Sequence, residues 1–498
     1  MVGHRLNSAG WMLPLAEAGT VTAEGAGPKA ATLAKLRRAG LPVPDGFCVA
    51  ADAYRSQLSS AGLERAARQM FRANEHEASR LALEVRLGLL RAPLPASLAE
   101  ALGSAYQRLS AEPGPLVAVR SSALCEDTLT VSFAGQLETI LGVAGHAELV
   151  ATVRACWASL WSRRAIRYMQ AQGADPAQTA VAVLVQRLVA ARVAGGALSR
   201  TADGRVVVTA AWGLGPAVAQ GALVPDRYVL RREGPVLQRT EPSRKPRRLT
   251  SAPGGGVRWQ DVAPDLVSAP CLGEAEALDL ARLVLKAEAV LGAPVEVEWA
   301  LDDEGFQILQ ARPLVVKPKQ AANQPGLGHR RLMGQPAGVG LASGPARVVR
   351  SEAELGRVRL GEVLVTRVPG PALAAILPRV SGVVAELGGS TSHLAALARE
   401  RGIPAVLGVP DATLRIPDGS LVVVDGVEGA VRWVSRGEPS QARGARPKGL
   451  RPASPPSPAA PRRVSPGQGG PGPRPRRSGS SRPASGPGRR VQPARRAW

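Results

Sequence analysis

The sequence predicts a mixed α/β protein, of the α/β or α+β class, with two folded domains. Helical and strand-like patterns alternate up to about residue 314, as expected for sheets covered by helices. A segment rich in Pro, Gly, Lys and Gln follows, and beyond it short β patterns surround one helical pattern. With 45% hydrophobic residues among 498, the chain has enough apolar side chains for packed cores.

The elements are assigned from periodicity and from turn residues. In the first part we expect helices over Pro28–Ala39, Leu63–Arg91, Ala147–Ala171 and Glu274–Leu291. We expect strands over Leu116–Arg120, Ala180–Val189, Arg205–Ala211, Val295–Ala300 and Phe306–Ala311. In the second part the β patterns PARVVR, EVLVTRV, SGVVAEL, IPAVLGV, GSLVVVDG and GAVRWV surround a helix over Ser392–Arg401.

These patterns divide the chain into four segments. Residues 1–314 form a first domain, 315–338 an exposed linker, 339–435 a second domain and 436–498 a tail. The tail consists mainly of Pro, Gly, Ser and Arg, and we expect it to be disordered because it has little apolar surface to bury. Of the formal net charge of +23, residues 437–498 contribute +13. A basic tail could bind polyanions, but it has no interleaved aromatics for base stacking, so nucleic acid is an expected partner only through this segment.

Cysteine usage and hydropathy restrict the environment of the protein. The four cysteines form no CxxC pair, which argues against a zinc site or a disulfide framework. We find no run of about 18 uncharged apolar residues and no signal-peptide pattern at the N-terminus. We therefore expect a soluble, cytoplasmic protein without a membrane partner.

One of the five histidines, His393, lies in the string GGSTSHLAALARERGIPAVLG, residues 388–408. Gly388 and Gly389 interrupt a strand pattern, and Ser390 or Thr391 could cap the helix that follows. The first turn of a helix favours negative charge because its backbone N–H groups are unpaired. A neutral imidazole is a good nucleophile, so this position suits a histidine that becomes phosphorylated.

Two basic residues in the first domain are candidates for binding phosphate. Arg120 is predicted at the end of a buried strand, before a Ser-rich turn that contains Glu126 and Asp127 and leads to SFAGQ. A guanidinium there could make forked contacts with phosphate oxygens, although a surface ion pair is an equally good interpretation. Lys29 follows a Gly-Pro turn at a helix start, where it could bind phosphate or be an ordinary solvated lysine.

The stretch VEVEWALDDEGFQILQARPL is predicted to be a β-hairpin that turns through DDEG. Alternation places Glu296 and Glu298 on one face, and likewise Ile308, Gln310 and Arg312. Glu298 would then lie almost opposite Gln310. A carboxylate and an amide oxygen suit Mg²⁺, and an arginine suits a transferring phosphoryl group, whereas the alternative is a solvated hairpin face.

The string around His393 resembles the phosphohistidine motif of the phosphoenolpyruvate-utilising enzymes, which include phosphoenolpyruvate synthase and pyruvate phosphate dikinase. The matching residues are Gly388, Gly389, Thr391, Ser392, His393, Ala395, Ala398, Arg399, Glu400, Gly402, Ile403, Pro404, Ala405, Val406 and Gly408. Upstream, Gly27 to Lys29, Val119 to Gly135 and Glu298 to Pro313 resemble the nucleotide-binding half of the same family. The resemblance covers residues 15–434.

The resemblance implies an ATP-grasp-type nucleotide-binding domain, followed by a small swivelling β/α phosphohistidine domain. It implies that Lys29, Arg120 and Arg312 contact phosphates and that Glu298 and Gln310 hold Mg²⁺, with Glu296 beside them in the ATP site. ATP would phosphorylate His393, with AMP and phosphate as products. Three departures weaken the likeness in the ATP lid: Pro28 replaces a glycine, Pro216 replaces an acid, and the GGALSRTADG segment matches poorly.

We expect no pyruvate-binding barrel after residue 434. The leading hypothesis is an ATP-dependent phosphotransferase with paired acceptors, of the pyruvate, water dikinase type. It would pass the phosphoryl group from His393 to pyruvate or another small molecule, which a separate acceptor protein could bind. The alternatives are a catalytically impaired nucleotide sensor or scaffold of the same family and a polyanion-binding protein that acts through the tail.

Overall fold

The computed structural model describes residues 10–17, 21–109, 114–124, 139–171, 175, 179–316, 330–367 and 370–434. Within these ranges the mixed α/β class is confirmed. The tail predicted to be disordered lies outside the described residues, and so do Glu126, Asp127 and the SFAGQ segment. No helix in the described ranges combines the length and the apolarity needed to cross a bilayer.

The large domain, residues 10–316, begins with a five-stranded sheet in the order β1-β2-β5-β3-β4. Its strands are β1 Met12–Pro14, β2 Gly46–Val49, β3 Val117–Ala123, β4 Thr139–Val143 and β5 Val181–Arg187. The helices beside it are α2 Ala51–Ser60, α3 Glu64–Gln69, a 3₁₀ turn Met70–Arg72, α4 Glu75–Arg91, α5 Ala96–Gln107, α6 Gly145–Ser159 and α7 Arg163–Ala171. The buried side chains of Trp157 and Trp161 lie in the core that these helices form with one face of the sheet.

A six-stranded antiparallel sheet in the order β13-β12-β6-β7-β8-β9 completes the large domain. The remaining elements are β6 Val193–Leu198, β7 Arg205–Trp212, α8 Pro216–Ala219, β8 Asp226–Arg231, β9 Val236–Glu241, the ribbon of β10 Arg247–Ser251 and β11 Val257–Asp261, β12 Val295–Asp302 and β13 Gly305–Pro313. Helices α1 Ala23–Arg38 and α9 Glu274–Leu291 cover one face, where Leu33 and Leu280 share a core with Val297 and Trp299. Because side chains alternate along a strand, Glu296 and Glu298 lie on the opposite face.

The small domain, residues 330–434, is built on an eight-stranded sheet in the order β14-β21-β20-β16-β17-β18-β19-β15. Its strands are β14 Arg330–Met333, β15 Gln335–Gly338, β16 Leu341–Val349, β17 Glu362–Thr366, β18 Val380–Ala385, β19 Ala405–Leu407, β20 Leu421–Asp425 and β21 Ala430–Val434. The helices are α10 His393–Arg401, α11 Ala412–Arg415 and 3₁₀ turns at Glu352–Arg357, Pro371–Ala375 and Leu377–Arg379. Buried Leu394, Leu397 and Ala398 hold α10 against the sheet core.

Two predicted helices are interrupted in the structure. The helix expected over Leu63–Arg91 breaks before α4, because the Asn74 side chain accepts a hydrogen bond from the Glu77 amide and caps a new helix. The helix expected over Ala147–Ala171 breaks in the same way, since the Ser162 hydroxyl accepts a hydrogen bond from the Ala165 amide. Hydrophobic periodicity predicted one continuous helix in each case, whereas a side-chain cap begins a new helix partway along the segment.

The predicted linker over 315–338 extends too far. Residues 330–333 and 335–338 form β14 and β15, which pair with β21 and β19 of the small domain. The Gly and Pro residues of this segment suggested a loop, but these short strands lie at the two edges of the sheet, where Pro336 is tolerated. Residues 317–329 of the predicted linker lie outside the described residues.

A fully buried ion pair joins the connection between β9 and β10 to the first residue of β8. Lys245 Nζ donates to Asp226 Oδ1 at 2.5 Å and to the Ser243 carbonyl at 2.7 Å, and neither charged side chain is exposed. Asp226 also accepts from the backbone amides of Ser243 and Cys271. Charges this deeply buried are tolerated only when they are paired and hydrogen-bonded, so the pair holds Asp226 in one position.

Replacing Lys245 with methionine should destabilise the large domain by about 3–5 kcal/mol, because the Asp226 carboxylate would remain buried without its cation. Urea unfolding followed by tryptophan fluorescence measures the effect. The matched control is Lys286→Met on the exposed face of α9, which should leave the transition unchanged. Identical unfolding midpoints for the two variants would contradict this account of the pair.

Candidate functional site

The hairpin of β12 and β13 brings the predicted acidic and amide side chains together. Glu298 pairs with Gln310 across the two strands, as predicted, and Glu296 pairs with Arg312. A bulge between Glu298 and Trp299 leaves Leu309 without a partner in this register. The prediction for Ile308 is wrong for this reason: the bulge turns its side chain into the core, on the face opposite Gln310.

Arg120 reaches the hairpin from β3. Its Nη1 donates to the Leu309 carbonyl at 2.9 Å, at the bulge, and lies 3.7 Å from Glu298 Oε2. Burial lowers the pKa of Arg120, and the charge of Glu298 opposes this shift. The expectation that Arg120 ends its strand is wrong, because Ser121 to Ala123 continue β3 and pair with β5.

Lys29 lies beside Arg120 because α1 is broken at Gly27. Gly27 has a φ of +73°, and a Cβ there would come within 2.3 Å of Ser122 Oγ, so the position requires glycine. The helix resumes at Pro28, where a proline in the first turn costs no helical hydrogen bond. Lys29 Nζ then donates to the Ser121 carbonyl at 2.9 Å.

His393 is the first residue of α10 and is half-buried. The cap differs from the prediction: Ser392, rather than Ser390 or Thr391, occupies the N-cap position and accepts from the Ala395 amide at 3.4 Å. Ser390 and Thr391 are buried in the preceding turn. The histidine therefore lies at the helix start predicted for it, where unpaired N–H groups favour an anion.

The turn before His393 packs on the open face of the six-stranded sheet. The hydroxyls of Thr391 and Thr209 are hydrogen-bonded, and Thr391 lies against Gly196, where an added Cβ would come within 2.5 Å of the threonine Cβ. The Gly388 amide donates to the Leu223 carbonyl at 3.2 Å. These contacts place the small domain directly against the large domain.

A second contact between the domains involves charge. Glu296 Oε2 accepts hydrogen bonds from Arg312 Nη2 of its own hairpin and from Arg399 Nη2 of α10, each at 2.9 Å. Arg312 Nη1 also lies 3.6 Å from Glu400 Oε1. Burial by itself would raise the pKa of Glu296, but the charges of Arg312 and Arg399 outweigh it and lower that pKa. Glu296 is therefore held ionised between two guanidinium groups.

His393 lies within the electrostatic field of the predicted site. Burial lowers the pKa of its imidazole; Glu298 and Glu296 raise that pKa, and Arg312 and Lys29 lower it further. The net shift is downward, so the ring is neutral at neutral pH. The structure places His393 close to the face that carries Glu298, because Thr391, two residues before it, packs on Gly196, which pairs with Glu298. Lys29 donates to the carbonyl of Ser121, the residue after Arg120.

The donor set is suited to a nucleotide with its metal. Within the described ranges, no group of three or more His, Cys, Asp or Glu side chains is arranged to hold a metal ion by itself. Glu298 and Gln310 carry oxygen atoms of the kind that Mg²⁺ binds, and Mg²⁺ ordinarily completes its shell with water and phosphate oxygens. The adjacent cations would compensate the charge of those phosphates.

Comparison with known proteins shows the family of the chain. Residues 23–329 match the family described as the pyruvate phosphate dikinase AMP/ATP-binding domain, which is more than half of the chain. Residues 358–429 match the mobile domain of the PEP-utilising enzymes. The chain belongs to the phosphoenolpyruvate synthase and pyruvate phosphate dikinase family. The resemblance stated from the sequence is therefore confirmed.

Two curated relatives illustrate the extent of the match within the family. Phosphoenolpyruvate synthase of Aeropyrum pernix is 34% identical over 462 residues, covering 81% of this chain and 56% of the relative. A probable phosphoenolpyruvate synthase of Methanothermobacter thermautotrophicus is 33% identical over 419 residues, covering 82% and 61%. The chain thus spans less than two thirds of either relative. An NMR structure of Enzyme I is 37% identical over 16% of this chain and 33% of its own, with a TM-score of 0.15.

Several contact residues had no role assigned from the sequence. Arg399 and Glu400 belong to the family motif, but nothing in a single sequence shows which partners they meet in another domain. Gly196 lies in the segment that matched the family poorly, and the paired glycines of that segment were the available signal. A glycine inside a strand often marks a close approach by another backbone or side chain, as it does here for Thr391.

Replacing Gly196 with alanine should weaken the contact between the domains, because the new Cβ would overlap Thr391. Small-angle X-ray scattering should give a larger radius of gyration for Gly196→Ala than for the unaltered chain. Gly356→Ala is the matched control, since a Cβ at Gly356 meets no atom within 4 Å. An unchanged scattering profile for Gly196→Ala would contradict the proposed fit of Thr391 against this glycine.

Proposed function

We propose that the chain is an ATP-dependent phosphotransferase that phosphorylates its own His393 and passes the phosphoryl group to an acceptor such as pyruvate. The observation that carries this proposal is the position of His393 at a helix N-terminus docked on the AMP/ATP-binding domain. Thr391, two residues before it, packs on Gly196, which pairs with Glu298, and Glu400 of the same helix lies 3.6 Å from Arg312. Packing of the two domains does not by itself require a nucleophile on one to lie close to phosphate-binding residues on the other. The closeness of His393 to Glu298 and Arg312 therefore supports transfer of a phosphoryl group between the two domains.

The two sheets of the large domain support an ATP-grasp-type site, in which the nucleotide lies between them. Arg120 comes from the first sheet, and Glu298, Gln310 and Arg312 come from the second. Lys29 lies on α1 and donates to the Ser121 carbonyl of the first sheet. In this proposal the three basic residues contact phosphates, and Glu298 and Gln310 hold Mg²⁺. Bound there, Mg²⁺ would offset the negative charge of the phosphates.

Glu296 has a different part in this site from that of Glu298. Its carboxylate is buried and already accepts hydrogen bonds from Arg312 and Arg399, whereas the Glu298 side chain is one third exposed. Glu296 therefore orients Arg312 from behind, and Glu298 presents its oxygens toward the nucleotide. Both acids belong to the ATP site, but only Glu298 is assigned to the metal.

The phosphoryl transfer itself is a displacement at phosphorus. A ring nitrogen of neutral His393 attacks the β-phosphorus of ATP, an N–P bond forms, and the P–O bond to AMP breaks with its electron pair left on AMP. Water cleaves the terminal phosphate, so AMP and inorganic phosphate are the products. The lowered pKa of His393 keeps the attacking nitrogen unprotonated, and the N–H groups at the start of α10 stabilise the phosphoryl group once it is bound.

Incubation with Mg²⁺ and ATP labelled at the β-phosphate should give acid-labile label on the unaltered chain. The variant His393→Ala should carry none, because it lacks the accepting nitrogen, although its domains remain intact. His146→Ala is the matched control and should be labelled normally, since His146 lies on α6 near Ala99. If the unaltered chain gains no label and forms no AMP, the proposed phosphotransferase activity is wrong.

The titration of His393 provides a test that does not depend on turnover. Because burial lowers its pKa, a larger fraction of the ring should be neutral at pH 6 than the one quarter or so expected for a histidine with the ordinary pKa of about 6.5. Histidine-selective ¹³C labelling, with the signal assigned by its loss in His393→Ala, measures the midpoint. A midpoint at or above 6.5 would contradict the lowered pKa of this ring.

A further inference from the structure

Arg399 joins the turn that carries His393 to the large domain. It lies on the inner face of α10, six residues after the histidine, and is 9% exposed. Its Nη1 donates to the carbonyl of Ser390, and its Nη2 donates to Glu296 Oε2 at 2.9 Å. One planar guanidinium therefore holds the backbone three residues before His393 and a buried carboxylate of the other domain.

We propose that Arg399 is the positioning residue that places His393 over the nucleotide site. This inference rests on the proposed function, because it concerns the geometry of that transfer. Arg399 does not touch the reacting atoms. It acts through Ser390, whose carbonyl belongs to the Gly388–Ser392 turn, and through Glu296, which precedes Glu298 by two residues on the same face of β12.

The hydrogen bond between Arg399 and Glu296 is buried, and it exists only when the two domains are docked. Glu296 is 7% exposed, so its charge is tolerated only while cations remain beside it. Separation of the domains would remove Arg399 from Glu296 and, at the same contact, Glu400 from Arg312. After separation, Glu296 would keep only Arg312 as a cationic partner, and Arg312 would lose its contact with Glu400. The network therefore favours one arrangement of the domains over a loosely associated one.

Arg399 also influences Arg312. The two guanidinium groups donate to the same oxygen of Glu296, so the position of that carboxylate depends on both. Docking of α10 thus fixes the carboxylate that orients Arg312, which the proposed function assigns to the phosphoryl group. His393 and Arg312 would therefore reach their functional positions together. Neither residue would be in place when the small domain is displaced.

A cross-linking experiment measures docking without reference to activity. The Thr209→Cys, Thr391→Cys double variant should form a disulfide in the docked state, because the two hydroxyl oxygens it replaces are in hydrogen-bond contact. Mass spectrometry follows the cross-linked peptide in which this new disulfide joins β7 to the turn before α10. Adding Arg399→Met should slow formation of that peptide at least tenfold. Adding Arg401→Met, at the end of the same helix, should leave the rate unchanged.

Labelling with β-labelled ATP in chains without the added cysteines then measures positioning. Arg399→Met should lower the initial rate of His393 labelling about 100-fold, because small displacements of reacting groups have effects of that size. The affinity for a non-hydrolysable ATP analogue should fall much less than the labelling rate, because Lys29, Arg120 and Glu298 do not depend on Arg399 for their positions. Arg399→Lys should give an intermediate rate, since an ammonium lacks the planar fork that spans both acceptors.

Glu296→Gln supplies the second variant on the other side of the contact. If Arg399 acts through Glu296, the loss of labelling rate in the Glu296→Gln, Arg399→Met double variant should be well below the product of the separate losses. Normal cross-linking and normal labelling by Arg399→Met would overturn the proposal, and so would slow labelling with normal cross-linking. Absence of label on the unaltered chain would refute the proposed function instead, while the cross-linking rates would still decide the role of Arg399 in docking.

Discussion

The Glu296 carboxylate is the interaction on which the arrangement of this molecule depends. It is buried at the contact of two domains, and a buried carboxylate is stable only with cations and donors close to it. Arg312 supplies one cation from the same hairpin and Arg399 supplies the other from α10. One of the two cations that neutralise Glu296 comes from the small domain. The buried carboxylate therefore has both of its cations only when the two domains are docked.

The open face of the six-stranded sheet explains how the remaining contacts fit together. Helices cover its other face, so the side chains of Glu296, Glu298 and Thr209 point to the surface on which the small domain sits. Gly196 leaves room for Thr391, and the carbonyl of Pro225, the residue before the paired Asp226, accepts a hydrogen bond from Gln335. Shape, hydrogen bonds to the backbone and charge therefore all favour one position of the turn before His393 on the six-stranded sheet.

Much of this site follows from the sequence because its signals are local. Strand alternation and the DDEG turn were sufficient to place Glu298 opposite Gln310, and the glycines before His393 marked a helix start. The bulge at Leu309 was not foreseeable, because strand alternation does not encode it, and it reversed the facing of Ile308. The Leu309 carbonyl accepts a hydrogen bond from Arg120, which comes from another sheet. The caps at Asn74 and Ser162 and the partners of Arg399 were missed because each depends on contacts that periodicity does not encode.

The central claim is that His393 and the metal–nucleotide complex occupy one site. Paramagnetic relaxation tests it most directly: Mn²⁺ with a non-hydrolysable ATP analogue is added to the protein carrying ¹³C-labelled histidine, and Mg²⁺ serves as the diamagnetic reference. If Glu298 and Gln310 hold the metal, the His393 signal should broaden beyond detection with Mn²⁺ and persist with Mg²⁺. A His393 signal that stays sharp when the site is saturated with the Mn²⁺ complex would contradict the account.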